Sequence, residues 1–282
     1  MGCNTMGPLK DIDVDDLTFD QIELVEKISL RLAFQSLVWF APQAWDIFDR
    51  SPDDPQDIAE DITREAIGVF KGFSINERLF GTIDYKQARW LPMPFGLVPQ
   101  ALMVDSKAKR AYENARLDLQ MSQVSMDVFL GSKEAPLQPL LKTAMDLRFE
   151  GGIVKKAITS VVTAHYSYDI KPAGQVGNRL QRVIVAAVPN GLLKERYSPS
   201  RERTVFGVGK QSSGRGEDPR VRIYYSMLRS FAAWRVQEVV FDDRGRDQFN
   251  WKDVDEQGTI QTIEVAVEAR LKLPEAGPST MD

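Results

Sequence analysis

Residues Asp84 to Lys107 read DYKQARWLPMPFGLVPQALMVDSK. In the longer span from Leu79 to Lys107, two apolar runs rich in β-forming residues flank Leu91 to Gly96, and the prolines and glycine of that segment indicate a turn. The second run, Leu97 to Val104, is nearly continuously apolar, as is typical of a strand buried on both faces. The pattern predicts a β-hairpin whose second strand is central to a sheet.

The predicted hairpin brings two carboxylates together. Its centre of symmetry lies between Pro94 and Phe95, which places Asp84 opposite Asp105 at a Cβ separation of about 4.5–5.5 Å. Like charges so close are destabilising unless a cation lies between them, and Mg²⁺ binds through one or two carboxylates together with water and substrate phosphate. Lys107 shares a strand face with Asp105, so its ammonium could orient or help deprotonate a water molecule beside the metal.

The tripeptide Asp-x-Lys has little specificity by itself, because it occurs at three places. They are Asp84-Tyr85-Lys86, Asp105-Ser106-Lys107 and Asp169-Ile170-Lys171. Only the second follows a nearly continuous apolar run. The residues alone also allow a simpler arrangement, in which Asp84 pairs with Lys86 or Arg89 on a solvated hairpin, and both interpretations stay open at this point.

The rest of the chain predicts a mixed α/β fold. Apolar residues at helical spacing predict helices over Phe19 to Trp45, with Pro42 as a breaker, and over Pro55 to Phe70, so that the part up to about residue 75 is helical. Lys109 to Met121 has the pattern of an amphipathic helix. Further strands are predicted at Ile158–Tyr168, Leu180–Val188, Val236–Phe241 and Thr259–Val267. We expect residues 1–282 to form one domain.

Composition excludes several classes of site. Cys3 is the only cysteine and His165 the only histidine, so a disulfide or a Cys/His zinc site within one chain is excluded. A Ser-His-Asp hydrolase, a histidine-metal nuclease or a phosphohistidine enzyme would have to use His165, whose neighbours indicate a strand. A packed or hydrogen-bonded histidine is the simpler interpretation. The apolar runs are far shorter than the roughly 20 residues of a membrane span. The first residues show neither a signal peptide nor a myristoylation motif, so we expect a cytoplasmic protein without a membrane partner.

Charge is distributed unevenly along the chain, although the formal net charge is only −4. Residues 1–65 hold fifteen acidic and five basic side chains, whereas Lys194 to Arg235 holds ten basic and four acidic ones. Such asymmetry suits a protein that meets an anionic partner with one face, and a solvated charge run would look the same.

The hairpin residues resemble a known nuclease signature. Asp84 and Asp105-Ser106-Lys107, 21 residues apart, resemble the PD-(D/E)xK motif, with Ile83 in place of its proline. The flanking residues Ile83 to Pro92 and Gly96 to Gln100 resemble the active-site hairpin of the SfiI family of type II restriction endonucleases. Two further segments resemble the same family in the same order, Gln120–Asp127 and Phe206–Glu217. The resemblance extends from about Ala59 to Phe241.

The resemblance implies a restriction-endonuclease-like fold, with a central mixed β-sheet flanked by helices. It also implies a Mg²⁺-dependent homotetramer that bridges two copies of the double-stranded DNA sequence GGCCNNNNNGGCC and leaves 3′ overhangs. The two half-sites have centres about nine base pairs apart, close to one helical turn of about 10–10.5 base pairs. A two-fold dimer can therefore read both from nearly one side of the duplex, through the major groove.

The basic segment supplies candidates for reading guanines. Arg and Lys commonly donate to guanine O6 and N7, and the candidates are Lys210, Arg215, Arg220 and Arg222. Glu217 or Asp218 could accept from cytosine. Pro219 to Tyr225 fits a strand, with both arginines on one face, and fits a helix equally well. For each arginine alone, a phosphate contact or a solvated surface position is an equal alternative.

A further acid from the helix before the hairpin would be typical of this fold. Glu60, Asp61 and Glu65 are the candidates, and solvation at the helix surface is the alternative for all three. Two other functions compete with restriction. One is a PD-(D/E)xK nuclease of repair or structure-specific cutting without GGCC preference, and the other is a catalytically silent DNA-binding module in which the carboxylates only shape the hairpin.

Overall fold

A mixed β-sheet occupies the centre of the protein. The computed structural model describes residues 10–69, 72–74, 83–111, 118–129, 139–209, 220–242, 244–245, 247–254 and 260–264. The strands are β1 (Phe73–Ser74), β2 (Tyr85–Met93), β3 (Gly96–Arg110), β4 (Asp118–Met121), β5 (Ala144–Arg148), β6 (Val154–Ile170), β7 (Asn178–Val188), β8 (Phe206–Val208), β9 (Val221–Tyr224), β10 (Val236–Phe241), β11 (Asp247–Val254) and β12 (Ile260–Glu264). Over the described residues, the main sheet has the order β1-β2-β3-β6-β7-β10-β11-β12, with β5 also paired to β6. Only the β3–β6 pair among these is parallel, so the expected mixed central sheet is confirmed.

Two long helices, α1 (Phe19–Arg50) and α2 (Pro55–Ile67), pack on one face of this sheet. Thr18 caps α1 in a capping box, in which its side chain accepts from the N–H of Gln21 and the Gln21 side chain accepts from the N–H of Thr18. Asp54 caps α2, and proline occupies its first position, where a missing N–H costs nothing. These local signals explain why the helices begin where the sequence predicts.

Pro42 does not break α1, contrary to expectation, and the helix continues to Arg50. Proline removes one backbone hydrogen bond and crowds the preceding turn. Val38, Ala41 and Ala44 around it are buried against the sheet, and this packing outweighs the local penalty. The other helical expectation is slightly too long, because α2 ends at Ile67 and β1 follows before residue 75.

A second, smaller sheet has the order β4-β9-β8. It overturns the helix predicted over Lys109–Met121, because β3 extends to Arg110 and β4 is a strand. The parallel pairing of β3 with β6 continues to Arg110, and the alternate apolar residues of β4, Leu119 and Met121, are buried in the core. Tertiary pairing thus prevails over the local helical period.

The four strands predicted after residue 150 are found. Three of those predictions lie within β6, β7 and β10, and β12 covers the described part of the fourth. Two apolar clusters form the core, one between the sheet and the helices and one on the opposite face, under the smaller sheet. No helix in the described part of the chain is long and apolar enough to cross a membrane.

Candidate active site

The hairpin register places the two predicted aspartates opposite each other. Pairing between β2 and β3 runs from a two-residue turn back to Tyr85 and Val104. The next step in the same register sets Asp84 against Asp105, as the symmetry of the sequence predicts. β3 itself continues, so Asp105 lies inside a strand, whereas Asp84 lies at the bend just before β2.

Ser106 fixes the Asp84 carboxylate. Its backbone N–H and its Oγ both donate to Asp84 Oδ2 at 2.5 Å, which leaves Oδ1 for another ligand. The alternative pairing with Lys86 or Arg89 does not form among the described residues. Arg89 is instead buried and donates from Nε to Oε1 of Gln100 at 2.7 Å. The hairpin is therefore a buried structure at this position.

Asp105 is fully buried, and one of its oxygens is open. Its Oδ1 accepts from Lys107 Nζ at 2.9 Å, whereas Oδ2 has no hydrogen-bond partner among the residues that the structure describes. Burial raises the pKa of Asp105 to about 6, against the lowering effect of the Lys107 ammonium, and the charges of Asp84 and Glu60 raise it further. A buried carboxylate oxygen without a partner, opposite a second carboxylate, is suited to receive a cation.

Lys107 is held beside this carboxylate. Its Nζ donates to Asp105 Oδ1 and to the Ser106 carbonyl oxygen, both at 2.9 Å. A third of the side chain is exposed, so the ammonium lies at the boundary between the buried acid and solvent. A phosphate approaching from solvent would meet a positive charge there.

The two aspartates fit a magnesium site better than a closed protein cage. No three His, Cys, Asp or Glu side chains of the described residues are grouped closely enough to hold a metal by themselves. Mg²⁺ typically takes one or two carboxylates and completes its octahedron with water and substrate phosphate. The open oxygens of Asp84 and Asp105 meet that requirement.

The three helical acids are separated by the structure. Glu60 is half-buried, accepts from Gln56 Nε2 at 2.8 Å, and contributes to the raised pKa of Asp105. Asp61 forms an exposed ion pair with Arg64 at 2.8 Å, and Glu65 is exposed. Both line a groove of about 400 Å³ between α1 and α2. Glu60 therefore acts electrostatically on the candidate site.

The third Asp-x-Lys triplet and His165 have structural surroundings. Lys171 pairs with Asp49 at 2.6 Å and ties the end of β6 to the end of α1. His165 is buried in β6 with neither ring nitrogen hydrogen-bonded, and its ring lies 6.1 Å from that of Tyr225. Burial lowers the pKa of His165 to about 3, so it stays neutral, in agreement with the packed-histidine interpretation.

Two of the DNA-reading candidates are described, Arg222 in strand β9 of the smaller sheet and Arg220 next to it. β9 is a strand followed directly by a helix (Tyr225–Phe231), so the open choice between strand and helix is settled for Arg222. Arg220 is exposed just before β9, on the same face as Arg222. Arg222 Nη1 donates to Asp118 Oδ2 at 2.9 Å, and Lys109 Nζ lies 3.5 Å from Asp118 Oδ1. Lys210 and Arg215, with Glu217 and Asp218, lie outside the described residues.

Two further polar residues, Asp118 on β4 and Gln56 on α2, could not be predicted from the sequence. Asp118 holds Arg222, and it was missed because its segment has a helical pattern. Gln56 joins α2 to the backbone of β3. Its only local signal is its position four residues before Glu60, which gives no indication that it reaches another strand.

Comparison with known proteins identifies the family. The family model described as type II restriction enzyme SfiI matches residues 22–239. The type II restriction enzyme SfiI of Streptomyces fimbriatus is 35% identical over 267 residues, which cover 89% of this chain and 97% of that protein. The chain belongs to the SfiI family. The expected enzyme class, a type II restriction endonuclease, is thereby confirmed.

Two solved structures agree with this membership of the SfiI family. The crystal structure of tetrameric SfiI bound to cognate DNA matches with a TM-score of 0.77 and 33% identity, covering 92% of this chain and 98% of that one. BglI bound to its DNA recognition sequence matches with a TM-score of 0.58 and 16% identity, covering 78% and 90%. The second match supports the restriction-endonuclease-like fold alone. Membership of this family implies a divalent metal cofactor. It also removes the support for the two competing functions, a repair or structure-specific nuclease and a catalytically silent DNA-binding module.

Proposed function

We propose that this enzyme hydrolyses phosphodiester bonds of double-stranded DNA with Mg²⁺ as cofactor, and that Asp84, Asp105 and Lys107 perform the chemistry. The observation that carries the proposal is the open Oδ2 of Asp105, which is buried without a hydrogen bond opposite a second carboxylate. Leaving such an oxygen unpaired is costly, and a cation held jointly with Asp84 offsets the cost.

Each residue has a separable task in this reaction. Asp84, oriented by Ser106, and Asp105 would hold the metal through their open oxygens. A bound divalent cation supplies Lewis-acid stabilisation of the phosphate and lowers the pKa of nearby water. Lys107 places a positive charge at the solvent boundary, where it can orient the attacking water and interact with a phosphate oxygen. The oxygen of water bonds to phosphorus as one P–O ester bond breaks, and the departing ester oxygen takes up, through solvent, the proton that the water loses.

Our proposals for the DNA target and for the oligomeric state are based on the relatives. We propose recognition of GGCCNNNNNGGCC, cleavage that leaves 3′ overhangs, and a homotetramer that bridges two sites in the cytoplasm. The family membership over nearly the whole length of SfiI supports this, as does the likeness to a tetrameric SfiI bound to cognate DNA. Sedimentation of the DNA complex that shows only monomer would contradict the assembly.

Cleavage of a plasmid that carries mapped GGCCNNNNNGGCC sites tests the chemistry. We expect Asp84→Asn and Asp105→Asn to abolish Mg²⁺-dependent cutting and to leave DNA binding largely intact, because each removes a metal-binding charge. Lys107→Ala should slow cutting severely. Glu65→Gln, an exposed change on α2, is the matched control and should cut normally. Undiminished cutting by Asp84→Asn or Asp105→Asn would refute the metal site, and fragment ends that share no sequence would refute the specificity.

The DNA-reading residues are tested by binding to cognate and scrambled duplexes at two salt concentrations. If Arg220 or Arg222 contacts a guanine, its alanine variant should lose roughly 1–3 kcal/mol on the cognate site and much less on scrambled DNA. A phosphate contact instead weakens both duplexes about equally and reduces the salt slope by about one unit. We expect the first pattern for at least one of the candidates Lys210, Arg215, Arg220 and Arg222. Equal losses for all four would place sequence reading elsewhere.

A further inference from the structure

Strand β3 extends beyond the neighbour that pairs with its outer edge. β2 ends its pairing at Tyr85 and Val104, whereas β3 continues to Arg110 with β6 on its other side. Backbone N–H and C=O groups along the uncovered edge therefore need other partners. The Ser106 N–H is satisfied by Asp84. On either side of Lys107, the Ala108 N–H still needs a partner, and the Ser106 carbonyl oxygen, which accepts from Lys107 Nζ, can accept a second hydrogen bond.

The side-chain amide of Gln56 satisfies both groups. Its Nε2 donates to the Ser106 carbonyl oxygen at 3.0 Å, and its Oε1 accepts from the Ala108 N–H at 2.9 Å. A primary amide presents an N–H donor beside a carbonyl acceptor, as a peptide group does, and it has a second N–H for another partner. Gln56 thus takes the place of a strand neighbour at the point where β3 carries Asp105 and Lys107.

The same amide connects the strand to helix α2. Gln56 Nε2 also donates to Glu60 Oε1 at 2.8 Å, and Glu60 is the helical acid whose charge acts on Asp105. The backbone of Gln56 is itself fixed, because its N–H donates to Asp54 Oδ1, the cap of α2, at 2.8 Å. A rigid chain of hydrogen bonds therefore runs from the start of α2 to the strand that bears the candidate active site.

We propose that Gln56 is a positioning residue for cleavage: it holds the 106–108 backbone, and with it the Asp105 and Lys107 side chains, and it orients Glu60 toward them. Gln56 does not touch the reacting atoms and acts through these groups. This inference rests on the proposed function, in which Asp105 and Lys107 perform the chemistry.

The test compares two ways of loosening α2 from the sheet. Gln56→Met keeps the length of the side chain and removes its hydrogen bonds. Thr63→Val is the matched control, because Thr63 Oγ1 and Tyr166 Oη form a buried hydrogen bond of 2.9 Å that also joins α2 to the sheet without touching β3. Gln56→Ala serves as a second variant should methionine not be accommodated, and thermal unfolding confirms that each variant folds.

Two readouts are measured on the full-length protein. Hydrogen–deuterium exchange without metal or DNA should show faster exchange across residues 105–110 in Gln56→Met and wild-type protection there in Thr63→Val. Single-turnover cleavage with saturating enzyme should fall about tenfold or more in Gln56→Met, with unchanged DNA affinity, and less than about threefold in Thr63→Val. In a double-mutant cycle, Glu60→Gln should add little to Gln56→Met, because the two act as one unit.

Equal cleavage rates in Gln56→Met and Thr63→Val would overturn the inference, as would unchanged exchange at residues 105–110. Failure of the inference is distinguishable from failure of the proposed function. If Asp84→Asn cuts like the wild type, the proposed function itself is wrong. If Asp84→Asn is inactive and Gln56→Met behaves like Thr63→Val, only the role of Gln56 is refuted.

Discussion

Glu26 and Asp105 are both buried carboxylates, and they are treated differently by their surroundings. Glu26 has a partner on each oxygen: the Asn190 N–H donates to Oε1, and Arg235 Nη2 donates to Oε2, both at 2.6 Å. Asp105 has Lys107 on one oxygen and nothing on the other. Burial raises the pKa of both acids. A buried acid with both oxygens hydrogen-bonded has a structural role, whereas a buried acid with an unpaired oxygen indicates a ligand-binding site.

The position of each acid matches this distinction. Glu26 lies on α1, and its partner Arg235 is fully buried with its guanidinium 4.2 Å from the ring centre of Tyr197 and 4.4 Å from that of Trp234. The pair joins α1 to the start of β10 in the interior. Asp105 lies at the end of the hairpin pairing, beside a lysine that reaches solvent. The first acid stabilises the fold, and the second is buried next to the strand edge at which we propose that the metal binds.

The largest effect is expected where the pairing is complete. Arg235→Ala should lower the free energy of unfolding by about 3–5 kcal/mol, because it leaves Glu26 as an unpaired buried charge. Chemical denaturation measures this. Arg50→Ala is the control, since Arg50 pairs with Asp46 on the exposed face of the same helix α1, and such pairs contribute about 0–1 kcal/mol.

Replacing both members of the buried pair tests whether the unpaired charge of Glu26 causes the loss of stability. A Glu26→Met, Arg235→Met double variant should recover much of the loss, because no unpaired charge remains. A loss of less than about 1 kcal/mol in Arg235→Ala would show that the two acids are not as different as their hydrogen bonds indicate.

Removal of the charge of Asp105, whose second oxygen is unpaired, should raise the free energy of unfolding instead of lowering it. Asp105 has an ordinary pKa of 3.8 when unfolded and about 6 when folded, so the folded state binds the proton more tightly. The resulting stability is present below pH 3.8 and is lost as the pH rises through about 6. Asp105→Asn cannot lose it, and the metal-free variant should be about 1–3 kcal/mol more stable than wild type at pH 8.

Denaturation of the metal-free protein between pH 4 and 8 measures this difference, which should shrink toward pH 4. Adding Mg²⁺ should stabilise the wild type and leave Asp105→Asn unchanged, because only the former binds the ion in its folded state. If Asp105→Asn were less stable than the wild type at pH 8, the ionised carboxylate would not destabilise the metal-free protein.

The smallest effect concerns the one partner that Asp105 has. Lys107 lowers the pKa of Asp105, so Lys107→Met should raise that pKa further and move the loss of stability to higher pH. Because Lys107 is a third exposed, solvent screens the attraction, and the cost at pH 8 should be about 0.5–1 kcal/mol. Unfolding curves from pH 5 to 9 show whether the transition moves upward. A transition that stays in place would mean that Lys107 hardly interacts with the carboxylate.

The hairpin and the identity of its two opposed aspartates could be predicted from the local sequence. Both depend on short-range properties: the turn residues between two apolar runs fix the register, and the register fixes which side chains face each other. The same holds for the caps of α1 and α2 and for the apolar strands β6, β7 and β10. In each case the signal lies within a few residues of the element that it predicts.

Other features depend on contacts between distant segments and could not be predicted from the local sequence. Residues 118–121 form a strand because β9 pairs with them. Helix α1 continues through Pro42 because the residues before and after the proline pack on the same sheet. Arg235 finds Glu26 across more than 200 residues, and Gln56 finds Ser106 across 50. Such contacts leave no periodicity in the local sequence, since each depends on where the folded sheet places a remote strand. The open oxygen of Asp105 likewise became evident only once the chain around it was packed.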